Sequence, residues 1–198
     1  MTEIPLFPLS SILLPYGRFS LQIFEQRYLD LVRSCMRTDT GFGVVWIRRG
    51  SEVATKGSAR PDLGDYGTYA RIVDWDQLQN GLLGITIAGT ETFDLRDANT
   101  SASGLVMGDI EMHRPCDPKA MQDDWSPMLD VLRSLETHPH VQRMGLEIDY
   151  NNAWEVGYTL VQLLPLDESL KYELLGSGTI EEMMGELDLL LNQISGED

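Results

Sequence analysis

In the first half of the chain, apolar residues recur in short runs that alternate with polar ones. "GVVWIRR" (Gly43 to Arg49) and "TYARIVDW" (Thr68 to Trp75) combine β-branched and aromatic residues. "LLGITIAG", "TETFDLRD" and "GLVMGDIEMH" follow, and Ile85, Ile87 and Ala88 with Thr86 between approximate a period of two, the pattern of a strand. Asn80-Gly81 falls between Thr68–Trp75 and Leu83–Ala88 and suits a hairpin turn with positive φ at both central residues. Several short strands separated by turn signals predict a small barrel or sandwich. One helix interrupts them: from Ile23 to Met36 the positions Phe24, Tyr28, Leu31, Val32 and Cys35 recur at three and four, and Gly41 closes the segment. Arg48 to Gly67, rich in glycine and charge, reads as a long loop and the most mobile segment of this half.

The second half changes period. Ser126-Pro127 offers a capping hydroxyl and a proline for the first helical position, and Met128, Leu129, Leu132 and Leu135 continue as a stripe until Thr137-His138-Pro139. Asn152 with Glu155 resembles a capping box before "AWEVGYTLVQLL", which Pro165 ends; Asp167 opens "ESLKYELL", which Gly176 ends. Thr179 with Glu182 is a capping box for a last amphipathic helix carrying Ile180, Met183, Met184, Leu187, Leu190, Leu191 and Ile194. The pattern predicts a β-rich unit over residues 1–116 with one helix, then a bundle of about four helices over 117–198.

Composition fits a globular protein: of the 198 residues 42% are apolar, enough for a core, and 23% are charged. No apolar run approaches the roughly 20 residues that span a bilayer. Pro5, Pro8 and Pro15 break up what would otherwise be a signal-peptide core, so a cytoplasmic protein with no membrane association is expected. Cys35 and Cys116 are read as reduced thiols, and with no paired Cys/His spacing a structural zinc is not expected. The net charge of −16 is uneven: residues 1–116 hold 14 acidic and 11 basic residues, a net of −3, and residues 117–198 hold 17 and 4, a net of −13. So acidic a second half repels phosphate backbones, which disfavours nucleic-acid binding there. A local basic patch remains possible in the near-neutral first half.

Candidate chemistry is sparse. His138-Pro139-His140 has the residues of a metal site, but the proline holds the rings apart, and loop histidines are the better reading; His113 stands alone. Glu181-Glu182 opens a helix, where the dipole stabilises negative charge, and Asp123-Asp124 likewise precedes one. There is no GxSxG elbow, no triad and no GxxxxGK[ST] phosphate loop, so no catalytic residue, metal or cofactor is assigned. Glu25 and Arg27 read better as a structural pair than a reactive one, with Phe24 and Tyr28 as core. Trp46, Trp75, Trp125, Trp154 and Met183-Met184 are also read mostly as core.

Five segments in order resemble the N-terminal domain of Lon proteases, the LON substrate-binding domain: "IPLFPLSSILLPYG", "LQIFEQRYLDLV" with its Phe24-Glu25-x-Arg27-Tyr28 signature, "YGTYARIVDW", "NGLLGITIAGTETFDL" and "LVQLLPLDESLKYELL". Each is weak alone; the ordered set covers nearly the whole chain. The resemblance implies an α+β fold, a PUA-like β pseudo-barrel with one helix followed by a helical bundle. Ile4 to Leu9 would be a strand, Leu13-Leu14-Pro15 a turn at its mouth, and Leu21 to Phe24 the lead-in to the helix, with Pro8 and Pro15 at edges and bends. It also implies a stand-alone copy lacking the ATPase and Ser–Lys peptidase modules, hence a non-enzymatic module for unfolded or partly folded protein segments, working with a protease or chaperone. The expected groove lies between barrel and bundle, lined by Phe7, Leu14, Tyr16 and Phe19, with Arg48 and Arg49 of the long loop at its edge. The alternative is an RNA- or nucleotide-binding PUA-like protein, and a small hydrolase would need a catalytic group the sequence does not display.

Overall fold

The computed structural model describes residues 1–52 and 61–196. The chain divides into two compact units, Met1–Pro115 and Cys116–Asp198. The first unit holds β1 (Thr2–Leu9), β2 (Arg18–Ile23), α1 (Gln26–Thr38), β3 (Phe42–Arg49), β4 (Asp62–Gln77), β5 (Leu83–Thr100) and β6 (Val106–Met112). Its sheet runs β2-β5-β4-β3-β1-β6, and β6 also pairs with β5. The length of β5 allows this. Leu83–Ala88 lies between β2 and β4, while Phe93–Thr100 pairs with β6. The sheet therefore curls back on itself as a pseudo-barrel and is not an evenly closed cylinder. Among the described residues only β1 and β3 run parallel.

The prolines of β1 sit where the strand has one neighbour. Pro5 lies opposite Met107 of β6 just before the pairing with β3 begins at Leu6. Pro8 lies opposite Val45 of β3, beyond the pairing with β6, which ends at Leu6. Neither costs a ladder bond on its open side. Pro15 and Tyr16 are the central residues of a turn closed by the Gly17 N–H donating to the Leu14 carbonyl at 3.0 Å. Tyr16 takes φ 63° there, a position usually given to glycine.

Several expectations are corrected. Leu21 to Phe24 is not a lead-in: Leu21 to Ile23 ends the strand β2, and α1 begins only at Gln26. "LLGITIAG" and "TETFDLRD" form one strand, β5. In the β4–β5 hairpin only Gly81 has positive φ, because Leu78 and Leu82 close a longer loop in which the Gly81 N–H donates to the Leu78 carbonyl. Asp39 in the left-handed conformation, not Gly41, caps α1. The loop expected from Arg48 to Gly67 is shorter at both ends: β3 runs to Arg49 and β4 starts at Asp62, and residues 53–60 lie outside the described residues.

Among the described residues, two apolar clusters pack the first unit. One packs Tyr28, Leu31, Val32 and Cys35 of α1 against Phe42, Ile85 and Ile87 of the sheet. The other, inside the curl, holds Leu6, Val45, Phe93, Ala98, Val106 and Ile110.

The second unit contains a 3-10 turn at Asp123–Trp125 and five helices among the described residues: α2 (Ser126–Glu136), α3 (Pro139–Met144), α4 (Ala153–Leu163), α5 (Glu168–Leu175) and α6 (Ile180–Ser195). Ser126 is the first residue of α2 and does not cap it; Pro127 takes the expected early position. The Asn152 side chain accepts the Trp154 N–H and caps α4, and Thr179 and Glu182 form the expected capping box on α6. Met128, Leu132, Trp154, Leu160, Met183 and Leu187 are buried. No helix among the described residues is long and apolar enough to cross a membrane.

Candidate functional site

The site grows from the link between β2 and α1. Strand alternation turns Ile23 inward and Phe24 outward, and the helix does not begin until Gln26. Phe24, expected in the core, is therefore 57% exposed. Glu25 is the N-cap residue, but its side chain makes no capping bond; it receives Arg27 instead. Arg27 donates from Nε to Glu25 Oε2 at 3.0 Å and from Nη2 to Oε1 at 3.3 Å, a two-pronged pair. Its Nη1 donates to the Gly104 carbonyl at 2.9 Å and its Nη2 to the Glu52 carbonyl at 3.3 Å. The side chains of Arg27 and Glu25 are only 12% and 19% exposed.

Arg27 also covers Tyr28, its Cζ lying 4.4 Å from the ring centroid. Tyr28 in turn stacks on Phe7 with centroids 4.0 Å apart and planes 16° from parallel. Phe7 meets Phe42 at 5.8 Å. The signature Phe24-Glu25-x-Arg27-Tyr28 is thus a clasp. It ties the start of α1 to the β5–β6 loop, to Glu52 and to the opening strand.

Beside this clasp lies a cleft of about 190 Å³. Phe7, Leu9 and Tyr28 line it together with the Ser20–Ile23 stretch of β2, and Phe24, Glu25 and Glu52 complete it. Glu52 is held by Ser10, whose N–H donates to Glu52 Oε1 at 2.6 Å. The cleft is smaller than the ~300–1,000 Å³ of small-molecule pockets, and its size suits one or two apolar side chains of a larger partner.

Burial pushes the Tyr28 hydroxyl up from 10.0 to about 12, aided by Glu25 and Glu52 and opposed by Arg27. A phenol whose folded value is raised stabilises the fold fully below pH 10 and loses that contribution as pH rises towards 12. Two units correspond to about 3 kcal/mol. Alkaline titration followed by tyrosinate absorbance and circular dichroism should show stability falling across this window, with the fall reduced in Tyr28→Phe. An equal fall in the variant would remove Tyr28 as its source.

Of the residues expected to line a groove, only Phe7 lines this cleft. Leu14 is 1% exposed, with its carbonyl packed on Gly89, and so offers no surface. Tyr16 is partly exposed in its turn, and Phe19 is half-buried against the core beneath β2. Arg48 pairs with Asp65, and Arg49 ends β3 opposite Asp62. Pro8 and Pro15 are buried in β1 and the following turn. The site described lies wholly within the first unit. Sequence reading missed Leu9, Ser20, Gln22 and Glu52; the Phe-Ser-Leu-Gln-Ile alternation was the signal for the β2 residues.

The remaining candidates have local explanations. His138 Nδ1 accepts the His140 N–H and so caps α3, and His113 meets Thr92 and Asp94. Glu181 pairs with Lys119 at 2.9 Å. Among the described residues no cluster of three His, Cys, Asp or Glu side chains is placed to hold a metal.

Fold and site together define a curled mixed-sheet α+β unit with a side-chain-sized apolar cleft, followed by a helical unit. The chain belongs to the family described as the ATP-dependent protease La (LON) substrate-binding domain, which matches residues 3–193. It is similar to a Lon N-terminal domain protein from Xanthomonas campestris at 32% identity and a TM-score of 0.75, over 94% of this chain and 97% of that one. The N-terminal domain of the Mycobacterium avium complex Lon protease shares the fold at 11% identity and a TM-score of 0.62, over 94% and 96% of the two chains. No curated protein matches.

Proposed function

We propose that this protein is a non-enzymatic binding module for polypeptide segments with exposed apolar side chains, acting in the cytoplasm as an adaptor or chaperone-like holder. The observation that carries the reading is Phe24, an aromatic left 57% exposed at an apolar cleft built by the most buried part of the motif. An exposed aromatic beside a preformed cleft is the usual anatomy of a binding hot spot. Family membership supports a substrate-binding module, and the exposed Cys116 thiol suits a reducing compartment.

The test is fluorescence anisotropy with a labelled unfolded protein and, separately, a single-stranded RNA, at low and physiological salt. Salt-tolerant binding to the unfolded chain is expected. Phe24→Ala should weaken it about tenfold to a hundredfold, the equivalent of the ~1.5–3 kcal/mol from burying one aromatic side chain. Its exposure means the fold should survive the change. Salt-sensitive RNA binding with no affinity for the unfolded chain would overturn the reading and direct attention to Arg48 and Arg49.

A further inference from the structure

β2 has a free edge. Its pairing with β5 puts Arg18 opposite Ala88, and the Gly89 N–H donates to the Gly17 carbonyl at 2.9 Å. That one bond sets the parity of the ladder, although the Gly17 N–H itself turns to the Leu14 carbonyl. By the alternation of an antiparallel ladder, Phe19, Leu21 and Ile23 bond to β5, while Ser20 and Gln22 turn their N–H and C=O groups off the sheet. No other strand among the described residues pairs with β2. Ser20 and Gln22 are exposed, and both line the cleft.

The other open edge of this three-stranded arm is blunted. Arg71–Gln77 of β4 also has only β5 beside it, but it carries a bulge between Ile72 and Asp74 and the charges of Arg71, Asp74 and Asp76. By contrast, β2 pairs without interruption over its six residues, has no proline or bulge, and bears one charge, Arg18, at its start. An unprotected edge beside an apolar cleft is what strand addition uses.

We propose that β2 takes an extended polypeptide segment as an added strand, hydrogen-bonded to the main chains of Ser20 and Gln22. Alternate side chains of that strand enter the Phe7–Leu9–Tyr28 cleft. This rests on the binding reading above and specifies its mode. An added strand presents alternate residues to the face that bears Phe19, Leu21 and Ile23, and Phe7, Leu9 and Tyr28 belong to the core beneath that face. The residues between them face the opposite side of the sheet, where Ser20 and Gln22 border a hollow lined by Asp74 and Asp76 and, among the described residues, by no basic side chain, so the preferred segment alternates apolar residues with Lys or Arg. The same charge argues against a second copy of this chain, since each copy carries −16.

The experiment uses a labelled ten-residue peptide alternating Val with Lys and Thr, and a second version N-methylated at alternate residues along one edge. Binding of the first should slow amide hydrogen exchange at Ser20 and Gln22, and the N-methylated peptide should bind about tenfold or more weakly, as loss of one or two hydrogen bonds implies. Gln22→Pro should weaken binding similarly. Its lost N–H points away from β5, so the ladder is kept. Should Gln22→Pro fail to fold, the N-methylated peptide and the exchange data decide alone. Equal binding of both peptides with unchanged exchange at Ser20 and Gln22 would overturn strand addition; if Phe24→Ala still weakened binding, the cleft reading would stand. A wild-type dimer that Gln22→Pro converts to monomer would assign the edge to a second copy and overturn the proposal. No binding of the unfolded protein or the peptide to the wild type would overturn both.

Discussion

Arg27→Ala is expected to lower the free energy of unfolding by about 3–5 kcal/mol, the usual loss when one partner of a mostly buried pair is removed. The Glu25 carboxylate loses two donors, and the carbonyls of Gly104 and Glu52 lose one each. An ion pair on an open surface would contribute only about 0–1 kcal/mol. Here the low exposure of both side chains and the convergence of three chain segments on one guanidinium argue for the larger figure. Arg27→Lys should restore little: an ammonium lacks the planar fork for Glu25 and the flat face that lies on Tyr28. Urea denaturation of the single variants and of Arg27→Ala/Glu25→Gln would measure the coupling, and the double variant should lose less than the sum of the singles. A loss below about 1 kcal/mol for Arg27→Ala would show the clasp to be incidental.

The clasp also shows which parts of the protein can be read from sequence. Local periodicity identifies α1, the β4–β5 hairpin and four of the five helices described in the second unit, because their patterns depend on residues a few positions apart; the short α3 is missed, and His138 and His140, expected in a loop, cap it and lie in its first turn. The backbone partners of Arg27 are not so close: Gly104 is 77 positions away and Glu52 is 25. The Phe24-Glu25-x-Arg27-Tyr28 pattern and its Glu25–Arg27 pair are legible in the sequence, but the carbonyls that turn the pair into a clasp are not. Strand β2 was lost for a different reason. Phe19, Leu21 and Ile23 alternate, yet the helical spacing that begins at Phe24 follows at once and absorbed the end of the strand. The segments on either side of Gly89 read as two strands, although β5 runs through it. Its lack of a side chain serves a close approach: a Cβ there would lie 2.2 Å from the Leu14 carbonyl oxygen. A glycine that admits a neighbouring backbone and one that turns the chain look alike in sequence. Exposure is equally hidden, and so Leu14 was expected on a surface and Phe24 in the core.

Close approach governs the interior of the curl as well, where Gly67→Ala is expected to cost about 3 kcal/mol or more. A Cβ at Gly67 would lie 2.3 Å from the Val44 carbonyl oxygen and 2.9 Å from Phe93 Cζ. Gly67 pairs with Val45 in the β3–β4 ladder, so that carbonyl cannot retreat without parting the strands. At Gly43, on the neighbouring strand, all three of the nearest atoms belong to side chains: Leu6 Cδ2 at 2.6 Å, Phe93 Cζ at 2.7 Å and Ile4 Cδ1 at 3.0 Å. Gly43→Ala should therefore cost less, about 1–3 kcal/mol, because rotamers can yield where backbone cannot. The Phe93 ring fills the space that both glycines leave, which predicts different responses to a smaller side chain. Phe93→Leu should recover part of the loss in Gly43→Ala, with a coupling of about 1 kcal/mol, and very little in Gly67→Ala, where the carbonyl clash remains. Thermal unfolding of the three single variants and the two double variants would measure this. Equal rescue of both glycine variants would mean that the ring, and not the Val44 carbonyl, sets the spacing of β3 and β4.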